Sequence, residues 1–189
     1  MEENKIYIKH MVCPRCIFTV ERVLNQCNIK PVSVELGVVT LSEPLPAETL
    51  AQVRRLLEEY GFEVIDDRRH RIVEQIRIGV IEFVRNPELR RGQNLSDYLC
   101  DKCHRDYSSL SKLFTESRGM SIEKYYISQR VEYVKELLIY DEMTVSEIAD
   151  DIGYSSVAHL SSQFKSVTGL SPTEFKKLKH PRIRPIDRI

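Results

Sequence analysis

Apolar and polar positions change their period several times within the first 66 residues. Residues 4–10, NKIYIKH, alternate and place Ile6 and Ile8 on one face, which predicts a strand. From Pro14 the apolar positions recur at helical spacing, and proline suits the first turn of a helix. Two β-rich runs around Gly37 predict a hairpin. Another helical run and a short strand follow, at 46–62 and 62–66.

This order, βαββαβ, is typical of a split-βαβ, ferredoxin-like sandwich. A charged run, DDRR, follows at 66–69 and marks the expected join between two domains. The fold class predicted for the whole chain is therefore α+β, with an all-α domain after the sandwich. The predicted boundaries are 1–66 for the first domain, 67–180 for the second and 181–189 for a C-terminal tail.

Helical spacing dominates beyond the join. The run NPELRRGQN at 86–94 is predicted to be a loop, with Asn94 or Ser96 capping the next helix. Breaks are expected at Gly119, Asp141, Gly153 and Gly169. The seven predicted helices are RIVEQIRIGVIEFVR, LSDYLCDKC, YSSLSKLFTES, SIEKYYISQRVEYVKELLIY, TVSEIADDIG, SSVAHLSSQFKSVT and PTEFKKLK.

Two stretches of this half, 95–114 and 145–164, share one design. Each has a short helix, a tight turn and a second helix with a leucine and a phenylalanine on its inner edge. That pattern predicts paired helix-turn-helix motifs, whose second helices enter the major groove of DNA. In the second stretch, the inward positions expected from a helical wheel are Ile148, Ala149, Ile152, Val157, Leu160 and Phe164.

Residues 147–177, EIADDIGYSSVAHLSSQFKSVTGLSPTEFKK, resemble the second helix-turn-helix of AraC/XylS-type transcription regulators. Residues 107–138 resemble the first recognition helix and the connecting helix, and the likeness extends over about 70–180. It implies sequence-specific binding to double-stranded DNA through two recognition helices. The base-contacting positions that it implies are Ser108, Ser111, Lys112, Val157, Ala158 and Ser162; Val157 is the position where wheel and resemblance disagree.

The helical wheel adds two outward residues in the second recognition helix, His159 and Gln163. Lysines are the expected phosphate partners: Lys112, Lys165, Lys176, Lys177 and Lys179. Few other basic residues lie on these helices, so we expect weak binding by a monomer and stronger binding by a homodimer. The alternative is that these positions are only solvated, on a helical bundle that does not bind DNA.

Composition limits the remaining possibilities. The chain has 189 residues, no net charge, 42% apolar and 30% charged residues, as in ordinary soluble proteins. No segment approaches the roughly 20 apolar residues of a membrane-spanning helix, and no signal-peptide pattern is present. We therefore expect a cytoplasmic protein without a membrane partner, whose cysteines are thiols or ligands rather than disulfides.

Cys13 and Cys16 form a CxxC pair where the first strand meets the first helix. The helix N-terminus and Arg15 are expected to favour thiolates, the form that binds metals. The segment from Met11 to Cys16 and the following βαββαβ pattern resemble a heavy-metal-associated domain. The resemblance implies Cys13 and Cys16 as ligands of Cu(I) or another soft ion (Zn, Hg or Cd), with Met11 in the core. A thioredoxin-like redox site and a metal-free interaction or dimerisation module remain alternatives.

A second pair, Cys100 and Cys103, precedes His104 in a CxxCH pattern that also occurs at haem and zinc sites. Helix position favours another interpretation, because these cysteines correspond to Ala149 and Ile152 of the second stretch and should be buried. A site shared with Cys13 and Cys16 is the remaining alternative.

Together these features predict a transcription regulator that responds to a soft metal. The rivals are a regulator whose N-terminal domain only mediates assembly, and a thiol-dependent metallochaperone or oxidoreductase. No nucleophile with an adjacent base, pair of carboxylates or phosphate-binding loop is evident, so we do not expect an enzyme.

Overall fold

The structure is a computed structural model that describes residues 4–178 and 181–186. The chain divides into two compact units, one up to Ile78 and one from Gly79 onward. The architecture is mixed, with one four-stranded sheet and ten helices within the described residues. None of the described helices is both long and apolar enough to cross a membrane. The domain boundaries predicted at residues 66 and 180 stay predictions.

The first unit contains the sheet and two helices packed on it. Its strands lie in the order β2-β3-β1-β4, and all three neighbouring pairs are antiparallel. The elements are β1 (Lys5–Lys9), α1 (Pro14–Gln26), β2 (Ser33–Glu35), β3 (Val38–Thr40), α2 (Ala47–Glu59) and β4 (Glu63–Ile65).

The register of the strands explains the position of the first core. Ile6 pairs with Val39 on one side of β1, and Ile8 pairs with Val64 on the other. These side chains share one face because side chains alternate along a strand. The apolar stripes of α1 and α2 cover that face, with Val20, Val23, Leu24, Val53 and Leu57 fully buried.

The second unit is helical. The long helix α3 (Arg68–Arg85) begins in the first unit and ends in the second. The helices that follow are α4 (Pro87–Gly92), α5 (Leu95–Cys103), α6 (Tyr107–Arg118), α7 (Ile122–Tyr140), α8 (Val145–Asp151), α9 (Val157–Thr168) and α10 (Pro172–Lys176).

The predicted loop at 86–94 was wrong, because its first part is the helix α4. The Asn86 side chain accepts a hydrogen bond from the Glu88 backbone N–H, and Pro87 occupies the first helical position. Both features favour helix initiation. Among the described residues, α3 to α10 are therefore eight helices rather than the predicted seven. Asn94 caps α5, as one of the two predicted candidates.

Gly79 lies inside α3, where a glycine weakens a helix. A Cβ atom at this position would lie 2.7 Å from Leu99 Cδ2 and 3.2 Å from Lys102 Cδ, both on α5. The glycine therefore permits a close approach of α3 and α5.

The central helix α7 carries several buried polar side chains. Glu132 Oε1 accepts from Lys135 Nζ at 2.7 Å, and Glu132 Oε2 accepts from the Arg184 backbone N–H at 3.0 Å. Gln129 Nε2 donates to the Tyr125 hydroxyl at 2.8 Å. These contacts satisfy polar groups that would be costly to bury alone, and they attach the described part of the tail to α7.

Candidate nucleic-acid interface and cysteine pair

The two helix-turn-helix units, α5–α6 and α8–α9, are built alike. Their second helices, α6 and α9, each have 12 residues and end at a glycine in the left-handed region, Gly119 or Gly169. Each begins with a side-chain cap. Asp106 accepts from the Ser109 backbone N–H at 2.8 Å, and Ser156 accepts from the His159 backbone N–H at 3.1 Å.

Equivalent apolar side chains bury one face of each second helix. Leu110 and Phe114 of α6, like Leu160 and Phe164 of α9, are fully buried. The two phenylalanine rings also pack against an aromatic ring of a following helix, each with 5.5 Å between ring centroids. The opposite faces of α6 and α9 remain available to a partner.

The predicted DNA-contacting residues of α6 lie on this open side. Ser108 and Lys112 are exposed and Ser111 is half-buried. Ser108 is already engaged, because its hydroxyl donates to Asp106 Oδ1 at 2.6 Å. The Asp106 carboxylate also accepts the backbone hydrogen bond of the cap, and these hydrogen bonds lower its pKa.

Val157 corrects one prediction for α9. The helical wheel placed it in the core, but its side chain is 39% exposed. Ser156 is the N-cap, so Val157 is the first helical residue and the buried stripe starts only at Leu160. Ala158 and Ser162 are exposed as well, so these three predicted base-contacting positions lie on the open side of α9.

His159 and Gln163, the two outward residues added from the wheel, are tethered by the preceding turn. His159 is exposed, and its Nδ1 atom lies 3.0 Å from the Ser155 hydroxyl. Gln163 is half-buried, and its Oε1 atom accepts a hydrogen bond from the Tyr154 hydroxyl at 2.8 Å. Tyr154 also packs edge-on against the His159 ring, with 5.3 Å between centroids.

Two arginines with buried side chains support the second helix-turn-helix unit, and the sequence did not predict this role. Arg130 of α7 stacks on the Tyr154 ring at 3.7 Å from its centroid, and its Nη2 donates to the Ile152 carbonyl oxygen at 3.4 Å. Arg90 of α4 donates to the Asp151 carbonyl oxygen. Cationic side chains therefore bind the C-terminal end of α8, where helix carbonyls lack intrahelical partners. The sequence around Arg90 and Arg130 gave no indication of these contacts, because their acceptors are backbone carbonyl oxygens.

The lysines predicted as phosphate partners differ in their surroundings. Lys112, Lys165 and Lys177 are exposed. Lys176 forms an ion pair with Asp141, which reduces its availability to a phosphate. Lys179 lies outside the described residues.

Cys13 and Cys16 lie together at the start of α1. Their Sγ atoms are 3.7 Å apart, and both side chains are half-buried. Met11 is fully buried in the core beneath them. No third histidine, cysteine or carboxylate joins this pair in a metal-binding group within the described residues.

The expected activation of this pair is not seen at Cys16. Burial is the largest effect on its thiol and raises its pKa, although backbone hydrogen bonds with Val12 and Cys13 act in the opposite direction. Arg15 is exposed and does not reverse the shift. Cys16 is therefore predominantly protonated near neutral pH, and a metal would have to displace that proton.

The second cysteine pair only partly follows the prediction that both residues are buried. Cys103 is buried, which raises its pKa to about 11. Cys100 is half-buried. Leu99 and Cys103, four residues apart, form the inward stripe of α5, so Cys100 lies on its flank rather than at the crossing point.

Comparisons with known proteins agree with this geometry. A family model described as a helix-turn-helix domain matches residues 99–178. The arabinose operon regulatory protein of Salmonella typhimurium is 32% identical over 95 residues, which are 44% of this chain and 34% of that protein. Residues 99–178 therefore form a helix-turn-helix domain.

A second regulator and a solved structure are also similar to this chain. The Msm operon regulatory protein of Streptococcus mutans is 30% identical to this chain over 79 residues, or 42% of this chain and 28% of that protein. The chain thus spans about a third or less of these regulators. The C-terminal domain of AraT, a response regulator from Geobacillus stearothermophilus, has the same fold, with a TM-score of 0.51 and 22% identity over 63% of this chain and 92% of that one.

Proposed function

We propose that this chain is a sequence-specific DNA-binding transcription regulator that contacts double-stranded DNA through the exposed faces of α6 and α9. The observation that carries the proposal is the duplicated geometry. Both helices bury the same leucine and phenylalanine positions and expose small polar or apolar residues on the other side. An exposed recognition helix of this kind fits the major groove.

The chemistry of the exposed residues suggests how bases would be recognised. Serine hydroxyls donate to or accept from base edges, and the Ala158 methyl group suits a thymine methyl. Positive charge is sparse, with Lys112 and Arg118 on α6 and Lys165 on α9. Few phosphate contacts give weak binding with a shallow salt dependence. We therefore propose that a homodimer, or two adjacent sites, supplies the affinity that one copy lacks.

Selection from a random duplex library with the full chain tests this proposal. We expect a defined sequence to be enriched at low salt. Lys112→Gln should reduce the slope of log affinity against log salt by about 0.9, the value of one phosphate contact. Lys30→Gln, which alters an exposed lysine of the N-terminal compact unit, should leave the slope unchanged. Failure to enrich any sequence at low salt would refute DNA recognition.

We further propose that Cys13 and Cys16 bind one soft metal ion, such as Cu(I), and that the first unit is a ferredoxin-like, heavy-metal-associated domain. The separation of 3.7 Å between their sulfur atoms supports this, because both thiols lie close enough to reach one ion. The strand order β2-β3-β1-β4 also suits that domain.

Metal stoichiometry on the full chain tests the cysteine pair. Under reducing conditions we expect one Cu(I) to be bound, and lost in Cys13→Ser/Cys16→Ser. Cys27→Ser is the matched control, because Cys27 lies at the other end of α1 and should not affect binding. A wild-type chain that binds no Cu(I) would instead favour a metal-free interaction module, and equal binding by the double variant would place the ion elsewhere.

Regulation requires that the metal bind one state of the protein more tightly than the other. If the proposal is correct, Cu(I) should change the affinity of the wild-type chain for its selected sequence. The double cysteine variant should show no such change. Identical DNA affinity of the wild type with and without bound metal would exclude a sensor.

A further inference from the structure

Tyr154 occupies the turn between α8 and α9 and is 7% exposed. Arg130 covers one region of its ring at 3.7 Å from the centroid, and the His159 ring meets it edge-on at an interplanar angle of 89°. The aromatic ring is therefore fixed from two sides. A fixed ring also fixes the direction of its hydroxyl group.

The Tyr154 hydroxyl lies 2.8 Å from Gln163 Oε1 and donates to it. Gln163 follows the exposed Ser162 and precedes the buried Phe164, so it lies at the edge of the open face of α9. An unconstrained glutamine offers a duplex both a carbonyl acceptor and an amide donor. Because Tyr154 occupies one of the two lone pairs of this carbonyl oxygen and holds it against the turn, Gln163 presents chiefly its NH₂ group to a duplex.

We infer that Tyr154 is a positioning residue that determines which base Gln163 prefers. This inference rests on the proposed contact between α9 and DNA. Glutamine recognises adenine with both ends of its amide, accepting from N6 and donating to N7. A glutamine that only donates instead favours bases with an acceptor in the major groove and no adjacent donor, which are guanine (O6 and N7) and thymine (O4).

Duplex selection with three variants of the full chain tests this. Gln163→Ala identifies the base position, because preference should disappear there alone. Tyr154→Phe keeps the ring between Arg130 and His159 but frees the Gln163 carbonyl. We expect the ratio of adenine to guanine or thymine at that position to rise about 5-fold or more, at the lower end of the discrimination by a bidentate contact. Tyr98→Phe is the matched control, since it removes a part-buried hydroxyl that donates to Glu82 at 2.7 Å, away from α9.

Gln163→Glu provides a test that leaves Tyr154 intact. Its carboxylate only accepts, so the preference should move to cytosine, whose N4 amino group donates. Thermal unfolding of each variant separates a lost fold from a changed preference. A base preference for Tyr154→Phe that equals that of the wild type would overturn the inference, and so would an unchanged preference for Gln163→Ala. A wild-type chain that enriches no sequence would overturn the proposed function instead.

Discussion

The two helix-turn-helix units have equivalent cores but different turns. In the first helix-turn-helix unit, His104 and Arg105 separate α5 from the cap residue Asp106, and His104 adopts a φ of 51°. In the second, the turn begins near Gly153, at a φ of 75°, and contains the buried Tyr154. The comparison shows that one scaffold can keep its buried anchors and still orient its exposed side chains in different ways.

The supports of the two units differ as well. The first helix-turn-helix unit packs closely on α3 at Gly79. Glu82 of α3 binds the Tyr98 hydroxyl and Lys102 Nζ, each at 2.7 Å. The second helix-turn-helix unit depends on two arginines, Arg90 and Arg130, that bind carbonyl oxygens at the end of α8. A close helix contact and the Glu82 carboxylate thus support the first helix-turn-helix unit, whereas arginine side chains support the second.

The largest effects should come from the anchors that the units share. Leu110→Ala and Leu160→Ala should each reduce the free energy of unfolding by about 2–5 kcal/mol, because both side chains are fully buried and leave a cavity. Urea denaturation measures the loss. Val167→Ala is the control, because this residue of α9 is 43% exposed. A loss below about 1 kcal/mol at either leucine would contradict the equivalence of the cores.

Arg130→Met tests whether this arginine stabilises the second helix-turn-helix unit. We expect a loss of about 2–3 kcal/mol, because the variant removes a buried cation–π contact and a charged hydrogen bond. Amide hydrogen exchange should show weaker protection in α8 and α9 than in α5 and α6. Arg55→Met replaces an exposed arginine and should change stability by less than about 0.5 kcal/mol. Uniform loss of protection in both units would show that the support is not specific.

The turn residues provide a smaller test. Gly153→Ala should cost about 1–2 kcal/mol, because alanine is strained at this positive φ, and no atom within 4 Å adds a clash. His104 already bears that strain at the corresponding place in the first unit. His104→Gly should therefore be neutral or stabilising by up to about 1 kcal/mol. Thermal unfolding compares the variants, and a strongly destabilised His104→Gly would mean that the imidazole makes a necessary contact.

Much of this architecture was predictable from local patterns. The helix breaks at Gly119, Gly153 and Gly169 are positive-φ glycines, as the sequence indicated. The short helix α4 was missed because six residues are too few to display a hydrophobic period. Its only signal was Asn86 followed by Pro87, a cap and a first-turn proline.

The candidate site was less predictable than the fold. A helical wheel assumes that the buried stripe extends to the first residue, whereas Ser156 begins α9 with Val157 still outside the core. The engagement of Gln163 depends on Tyr154, and the orientation of Tyr154 depends on Arg130 of α7. Such tertiary contacts leave no periodic pattern in the sequence. Exposure could be predicted by position, but the hydrogen-bonding capacity left to each side chain could not.

The smallest effect concerns the caps of the two recognition helices. Asp106 places an exposed carboxylate at the N-terminus of α6, whereas the neutral Ser156 caps α9. Hydrogen bonds lower the Asp106 pKa, so the residue is charged at neutral pH and would repel a nearby phosphate. Asp106→Asn keeps an effective cap without this charge.

We expect Asp106→Asn to raise the affinity of the chain for its selected duplex about 2- to 5-fold at low salt. The gain should shrink as salt rises, because the interaction is screened. Ser156→Asn exchanges one neutral cap for another and is the control for α9. If Asp106→Asn binds DNA no more tightly than the wild type at any salt concentration, then the N-terminus of α6 does not approach the phosphate backbone, and the two recognition helices meet DNA differently.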